Sequence, residues 1–249
     1  GVAWSLDFFH LGHAADELPA LNASGVDAAA AFSDAAWRPD FFGLTVLPEF
    51  CATDWGNISI SPPPAFDSNE GLREIRDLME KITAGGNDGR RARTAEILGQ
   101  AADFMGYFEQ ALGLSPQTTP WTLKLMHMAA RVGEMAGAHF KSRSALNRAR
   151  PYQVVPGLVP LIPTPAHPSY PSGHALESRM VALAIAQARP AAGPIAIALA
   201  DRIAENREYA GVHFPGDSKA GKALADEAFS RLLTCGRFAA TLAKAVAEH

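Results

Sequence analysis

Cysteine is scarce in this sequence, long apolar runs are missing and the net charge is small. Only Cys51 and Cys235 are cysteines among 249 residues, which allows either one disulfide or two free thiols and leaves the compartment undecided. The formal net charge of −4 gives no global positive field, so we expect no nucleic-acid partner. The most apolar region, residues 180–200, is interrupted by one arginine and two prolines, so no transmembrane segment is predicted. The start of the chain shows no signal peptide, although a processed mature chain would lack one as well.

Alternating apolar and polar residues, the pattern of a half-buried strand, are missing apart from a short candidate at residues 157–162. Apolar residues recur instead at spacings of three and four, which predicts helices. The sequence therefore predicts an all-α fold, a single-domain helical bundle over residues 1–249 with about seven or eight helices. The predicted helices cover residues 28–36, 67–83, 92–112, 118–140, 174–188, 195–209, 218–233 and 238–247.

Two segments do not fit a regular helix. Seven prolines stand between residues 151 and 171, which predicts a stiff, extended connector without helix. Residues 1–65 are expected to form an N-terminal arm that packs on the bundle. Its aromatic side chains favour pinning of this arm to the core over a lid across a pocket; they are Trp37, Phe41, Phe42, Phe50 and Trp55.

The tetrapeptide from Pro171 to His174, Pro-Ser-Gly-His, leads into a predicted helix. Backbone amides at a helix N-terminus, together with the helix dipole, favour an anion there. Gly173 lets the backbone approach a ligand closely. Ser172 is equally suited to be the helix N-cap, which would be a structural role.

A second polar cluster contains His213 and Asp217, separated by Pro215 and Gly216. Because proline and glycine interrupt helices, we expect both residues on a turn between helices. A carboxylate four residues after the imidazole can fix its tautomer and orientation, which prepares a histidine as a nucleophile or base. Asp217 could also cap the helix that follows, and the two roles are compatible.

Arginine residues at helix ends supply positive charge near these clusters. Arg143 and Arg150 lie in a basic segment before the proline-rich connector, and Arg207 lies six residues before His213. A guanidinium group matches pairs of phosphate oxygens and stays charged at any working pH. We therefore expect the three clusters to surround one tetrahedral oxyanion.

The combined pattern R-x6-R-P, P-S-G-H and R-x5-H-x3-D covers residues 143–217. It resembles the three-part motif of the type-2 phosphatidic acid phosphatase and vanadium haloperoxidase superfamily, in which the first part is K-x6-R-P. The sequence departs from that motif twice. Arg143 replaces the leading lysine, with Lys141 two residues too early, and Asn206 replaces the serine before the arginine.

This resemblance implies a helical bundle like those of acid phosphatases and vanadium chloroperoxidase, with the site at helix ends. It implies that His213 attacks phosphorus, Asp217 orients its ring and His174 protonates the leaving oxygen. The groups implied to hold the phosphoryl oxygens are Arg143, Arg150, Ser172, Gly173 and Arg207.

Three functions follow as hypotheses. The first is a metal-independent phosphatase, similar to soluble bacterial acid phosphatases, that acts on a small phosphorylated substrate and needs no cofactor. The second is a vanadium-dependent haloperoxidase with vanadate on His213, and the third is a non-catalytic phosphate-binding protein. The resemblance favours a periplasmic or secreted protein. The substrate and the oligomeric state remain open.

Overall fold

The computed structural model describes residues 32–86 and 88–249, and residues 34–249 form one compact unit. The described part is helical and contains no strand, as the all-α prediction requires. Eight of its α-helices span eight residues or more. The α-helices are α1 Pro39–Phe42, α2 Leu47–Cys51, α3 Asn69–Thr83, α4 Thr94–Ala102, α5 Met105–Leu112, α6 Pro120–Lys141, α7 Pro151–Val154, α8 Gly173–Ala188, α9 Gly193–Tyr209, α10 Pro215–Leu232 and α11 Gly236–Val246.

Helices α6 and α8 form the centre of the bundle, and α9, α10 and α11 pack around them. Small residues let α6 and α8 approach closely. A Cβ atom added at Gly133 would lie 3.2 Å from the Cα atom of Glu177, and one at Gly137 would lie 3.3 Å from Leu176 Cδ2. Fully buried Leu176 and Met180 fill the space that remains. This close packing holds the first turn of α8 rigidly, because a well-packed interior resists small displacements.

Local sequence features mark the starts of two predicted helices, α3 and α6. Ser68 caps α3, since the amide of Gly71 donates to its side-chain oxygen at 3.1 Å. Pro120 occupies the first position of α6, where its missing N–H costs nothing. Thr119 does not cap that helix with its side chain; its Oγ1 accepts from the amide of Ser115 instead.

Three predictions about individual segments are wrong. The predicted helix at 92–112 is two helices, because Asp103 adopts an extended conformation and its carboxylate caps the next turn through the amide of Gly106. The proline-rich connector contains the short helix α7, which Pro151 begins. Residues 157–162 form no strand.

Residues 34–57 form short helical turns, and aromatic side chains of this segment pack against α6. Phe42 and Phe50 are fully buried, and Phe42 lies edge-on to Trp121 of α6 with ring centres 6.1 Å apart. These contacts hold this part of the chain against α6. The predicted helix at 28–36 lies largely outside the described residues, and its last three residues form a 3-10 turn.

Within the described residues, no helix is both long enough and apolar enough to cross a membrane. Cys51 is exposed, Cys235 is buried, and both are free thiols.

Candidate functional site

The N-terminal turns of α8 and α10 meet, and this contact brings the two polar clusters together. The amide of Ser172 donates to the carbonyl of Asp217 at 2.9 Å. Gly221 permits this approach, because a Cβ atom there would lie 2.5 Å from the carbonyl oxygen of Ser172. Ser172 also caps α8, with the amide of Ala175 donating to its Oγ atom at 3.4 Å. The acid candidate His174 lies in α8, the nucleophile candidate His213 lies two residues before α10, and the starts of these two helices touch through their backbones.

Asp217 lies inside the first turn of α10 and not on a free turn as predicted. Pro215 is tolerated at the first helical position, so the helix begins before the carboxylate instead of after it. The Oδ2 atom of Asp217 lies 3.3 Å from Nδ1 of His213 and accepts from the amide of Phe214 at 2.9 Å. One carboxylate thus performs both roles considered from the sequence: it orients the imidazole and caps the helix.

The hydrogen-bond partners of His213 determine its tautomer. Arg150 donates from Nη1 to the carbonyl of Val212 at 2.9 Å, and the same nitrogen lies 3.2 Å from Nε2 of His213. A guanidinium group only donates and a carboxylate only accepts, so Nε2 carries the lone pair and Nδ1 carries the proton.

Burial, aided by two nearby cations, keeps the imidazole neutral. Burial lowers the pKa of His213 to about 4, the bond to Asp217 raises it, and the charges of Arg150 and Lys141 lower it further. Burial alone would raise the pKa of Asp217, but the hydrogen bond from His213 and the charge of Arg148 lower it below its usual value. A neutral imidazole beside an ionised carboxylate is the state that a histidine nucleophile needs.

His174 lies in the first turn of α8, beside the ring of Phe104 at a centre-to-centre distance of 5.6 Å. Burial lowers its pKa to about 3, and the neighbouring charge of Arg207 acts in the same direction. His174 is therefore neutral in the absence of an anion. A bound anion would oppose the charge of Arg207 and raise the pKa of His174.

Arg207 is 1% exposed, and within the described residues its Nε and Nη1 atoms have no hydrogen-bond partner. Its Nη2 atom donates to the carbonyl of Ile97 at 3.0 Å. Burial lowers the pKa of Arg207 to about 10, so the group stays charged at neutral pH. Buried donors without a partner call for an explanation, and an ion or water bound beside them is one.

A cavity of about 520 Å³ opens beside these groups. Lys141, at the end of α6, lines it and donates to the carbonyl of Pro168 at 2.8 Å. Burial and the nearby charge of Arg150 lower the pKa of Lys141 to about 7. The lining residues are Glu134, Gly137, Ala138, Lys141, Ser142, Arg150, Pro165, His167, Pro168, Gly173, His174, Glu177 and His213.

The structure brings most of the predicted site residues to one place. Arg150, Gly173, His174 and His213 line the cavity, Ser172 directly precedes Gly173, and Asp217 bonds to His213. Arg207 is buried and does not line the cavity, but it is near enough to lower the pKa of His174.

Arg143 lies outside the cavity. It is exposed, its Nη2 atom donates to the carbonyl of Gly56 at 3.2 Å, and its guanidinium stacks on Phe140 with the carbon atom 4.6 Å from the ring centre. Lys141 occupies the pocket position that was predicted for Arg143.

Sequence reasoning missed the roles of three residues. Lys141 stands two residues before the motif position, and only the helix geometry shows that its side chain reaches the cavity. Arg148 lies in the basic segment between Arg143 and Arg150, but its contact with Asp217 depends on folding. Glu177 lines the cavity together with Gly173. Because the two residues are four positions apart on α8, the sequence could have indicated that they share one face of the helix.

Comparisons with known proteins find similarity to solved structures. No protein-family model matches the chain, and no curated protein matches it. Among solved structures, it is similar to one described as the first bacterial vanadium-dependent iodoperoxidase, with 20% identity and a TM-score of 0.55. The match covers 70% of this chain and 52% of the other, so this chain spans about half the length of that protein. The likeness shows that the described helices adopt the fold of that peroxidase.

Proposed function

We propose that the chain is an enzyme of the phosphatase and haloperoxidase superfamily and hydrolyses phosphomonoesters through a phosphohistidine at His213. The observation that carries this proposal is the position of Nε2. The Nε2 atom, which carries the lone pair, lies 3.2 Å from Nη1 of Arg150, and both residues line the cavity. A cavity of about 520 Å³ has room for an ester's organic group as well as its phosphoryl group.

The first step transfers the phosphoryl group to the enzyme. Nε2 of His213 donates its lone pair to phosphorus, and the bond between phosphorus and the leaving oxygen breaks. His174 gives a proton to that oxygen, which departs as an alcohol. The pKa of His174 in the free protein is about 3, so the charge of the bound phosphate has to raise it before this transfer.

The second step releases phosphate. His174, now neutral, accepts a proton from a water molecule while the water oxygen attacks phosphorus. The bond between phosphorus and Nε2 breaks, and the electron pair returns to His213. Asp217 holds the ring through Nδ1 during both steps.

Positive charge on several sides stabilises the phosphoryl oxygens. Arg150 and Lys141 face the cavity, Arg207 presents two unpartnered N–H groups, and the Gly173 amide stands at the N-terminus of α8. The Ser172 hydroxyl lies at the same helix N-terminus, where it caps α8. Phosphoryl transfer depends mostly on positioning and on neutralisation of charge, and this set of donors provides both.

The test is hydrolysis of p-nitrophenyl phosphate together with trapping of the covalent intermediate. Rapid quenching with a ³²P-labelled substrate should give an acid-labile label that the His213→Ala variant lacks, with unchanged circular dichroism. Turnover at the wild-type rate in His213→Ala would refute the phosphohistidine.

A vanadium-dependent haloperoxidase is the second candidate, and the fold shared with the iodoperoxidase favours it. The unpartnered donors of Arg207 suit vanadate as well as phosphate, since both are tetrahedral oxyanions. Arg150, Lys141, Arg207 and the Gly173 amide would hold it, with His213 as its protein ligand. Bound vanadate would supply activation of peroxide for halide oxidation. Iodide and bromide oxidation with hydrogen peroxide, measured with and without orthovanadate, separates the candidates. Halide oxidation without hydrolysis of any phosphate ester would replace the phosphatase proposal.

A further inference from the structure

Arg148 lies against the site's carboxylate, although the proposed chemistry does not use its charge. Its side chain is 2% exposed. One terminal nitrogen donates to Asp217 Oδ1 at 2.9 Å, and the other donates to Glu74. The guanidinium carbon lies 4.4 Å from the ring centre of Phe214 and 5.0 Å from that of Phe66. Two ion pairs and two rings therefore fix this guanidinium in one orientation.

The two oxygens of Asp217 have separate partners. Oδ2 serves His213 and the amide of Phe214, whereas Oδ1 accepts only from Arg148 among the described side chains. Without this donor, a fully buried carboxylate would lose the interaction that keeps its Oδ1 atom in place. It would then rotate or take up a proton, because an uncompensated charge in a low-dielectric interior is costly.

The other cations near this pair do not bond to Oδ1. Arg150 contacts Nε2 of His213, and Lys141 lines the cavity. Their charges interact with the Asp217 carboxylate at longer range. The direct hydrogen bond to Oδ1 therefore depends on Arg148.

We propose that Arg148 is a positioning residue that holds the Asp217 carboxylate ionised and in one rotamer, so that His213 keeps its proton on Nδ1 and its lone pair on Nε2. Its expected effect on rate rests on the proposed phosphatase function. Its effect on the tautomer is a property of the free protein and does not.

A purely structural role would have a different signature. Arg148 also links α3 to α10 through Glu74, and loss of that link alone would lower stability without changing the tautomer of His213. The test must therefore include a readout of the imidazole itself.

The primary experiment is long-range ¹H–¹⁵N correlation spectroscopy of the ¹⁵N-histidine-labelled full chain at neutral pH, with His213 assigned from the His213→Gln spectrum. The wild type should show one neutral tautomer with the proton on Nδ1. Arg148→Met should show a mixture of tautomers or a shift to Nε2–H, and Arg148→Lys should restore part of the wild-type signal because it keeps the charge without the fork.

Kinetics with p-nitrophenyl phosphate give the second readout. Arg148→Met should lower kcat on the order of 10- to 100-fold while KM changes by about threefold or less, since orientation of the nucleophile is lost and the oxyanion donors remain. Arg237→Met is the matched control. Arg237 is also ion-paired and stacked, with Asp34 at 2.9 Å and the Phe42 ring centre at 4.6 Å, but it lies outside the site. It should change neither kcat nor the tautomer.

Each outcome decides a separate point. If Arg148→Met does not fold, the double variant Arg148→Met/Glu74→Gln removes the stranded carboxylate and allows the same measurements. An unchanged His213 tautomer in a folded Arg148 variant would overturn the positioning role. Absence of phosphatase activity in the wild type, combined with an altered tautomer in the variant, would refute the proposed function and leave the role of Arg148 standing.

Discussion

The exchange of Arg143 for Lys141 in the pocket leads to a direct mutational prediction. Lys141 lines the cavity, whereas Arg143 is exposed and bonded to the carbonyl of Gly56. A hydrogen bond from a charged donor contributes about 1.5–3 kcal/mol, so Lys141→Met should lower kcat/KM for a phosphate ester about 10- to 150-fold. Arg143→Met should change it by about twofold or less, because an exposed ion contributes little.

The pH dependence sharpens this prediction. Lys141 has a pKa of about 7 because burial and Arg150 disfavour its charge, so wild-type kcat/KM should fall as pH rises through that value. Arginine remains charged, so Lys141→Arg should keep activity above this pH. The lower limb, set by the His213 pKa of about 4, should stay in place in both proteins.

The assay is hydrolysis of p-nitrophenyl phosphate over a full pH series, with melting temperatures to show that each variant is folded. A loss in Arg143→Met as large as that in Lys141→Met would refute the assignment of Lys141 to the pocket. If Lys141→Arg is active and its kcat/KM falls at the same alkaline pH as in the wild type, titration of Lys141 is not the cause of that fall.

Three further predictions concern other residues of the site. His174→Ala should slow hydrolysis of an alkyl phosphate about 100-fold or more but that of p-nitrophenyl phosphate much less, since nitrophenolate leaves without a proton; equal losses would contradict its role as acid. Burial and the charge of Glu134 raise the pKa of Glu177 to about 8, so the carboxylate that forms above this pH repels phosphate. Glu177→Gln should therefore raise kcat/KM in alkaline solution only, and an equal gain below pH 7 would rule out the titration. Gly221→Ala should lower the free energy of unfolding by about 1–3 kcal/mol, measured by urea denaturation, because its Cβ atom would lie 2.5 Å from a carbonyl oxygen; an unchanged midpoint would show that α8 and α10 can separate freely.

The fold class could be predicted from the sequence because the periodicity of apolar residues and the capping residues that indicate a helix are local. Ser68 and Pro120 begin α3 and α6 where local chemistry requires. Two of the wrong predictions concern prolines, which can either interrupt a helix or occupy its first turn. Pro151 and Pro215 were interpreted as helix breakers, yet proline is equally at home in the first helical turn. Which use applies depends on what the following residues pack against.

The site was predictable as far as its donors lie in fixed motifs. The motif predicted the wrong location for the Arg143 side chain. Helix α6 ends at Lys141 and a 3-10 turn follows, so the side chain of Arg143 does not point into the cavity. Glu74 lies more than seventy residues from Arg148 in sequence, and their ion pair exists only after α3 packs beside α10. Contacts of this kind carry no local signal.

The backbone bond between Ser172 and Asp217 has a consequence for how new specificities could arise. It sets the separation between His174 and His213, the two candidate catalytic histidines, by main-chain atoms, which mutation of side chains does not remove. The outer wall of the cavity is made of exposed residues such as Glu134, Ala138 and Pro165, which take no part in that bond. A library randomised at these wall positions should therefore yield variants with altered substrate range at high frequency and with the chemical step intact.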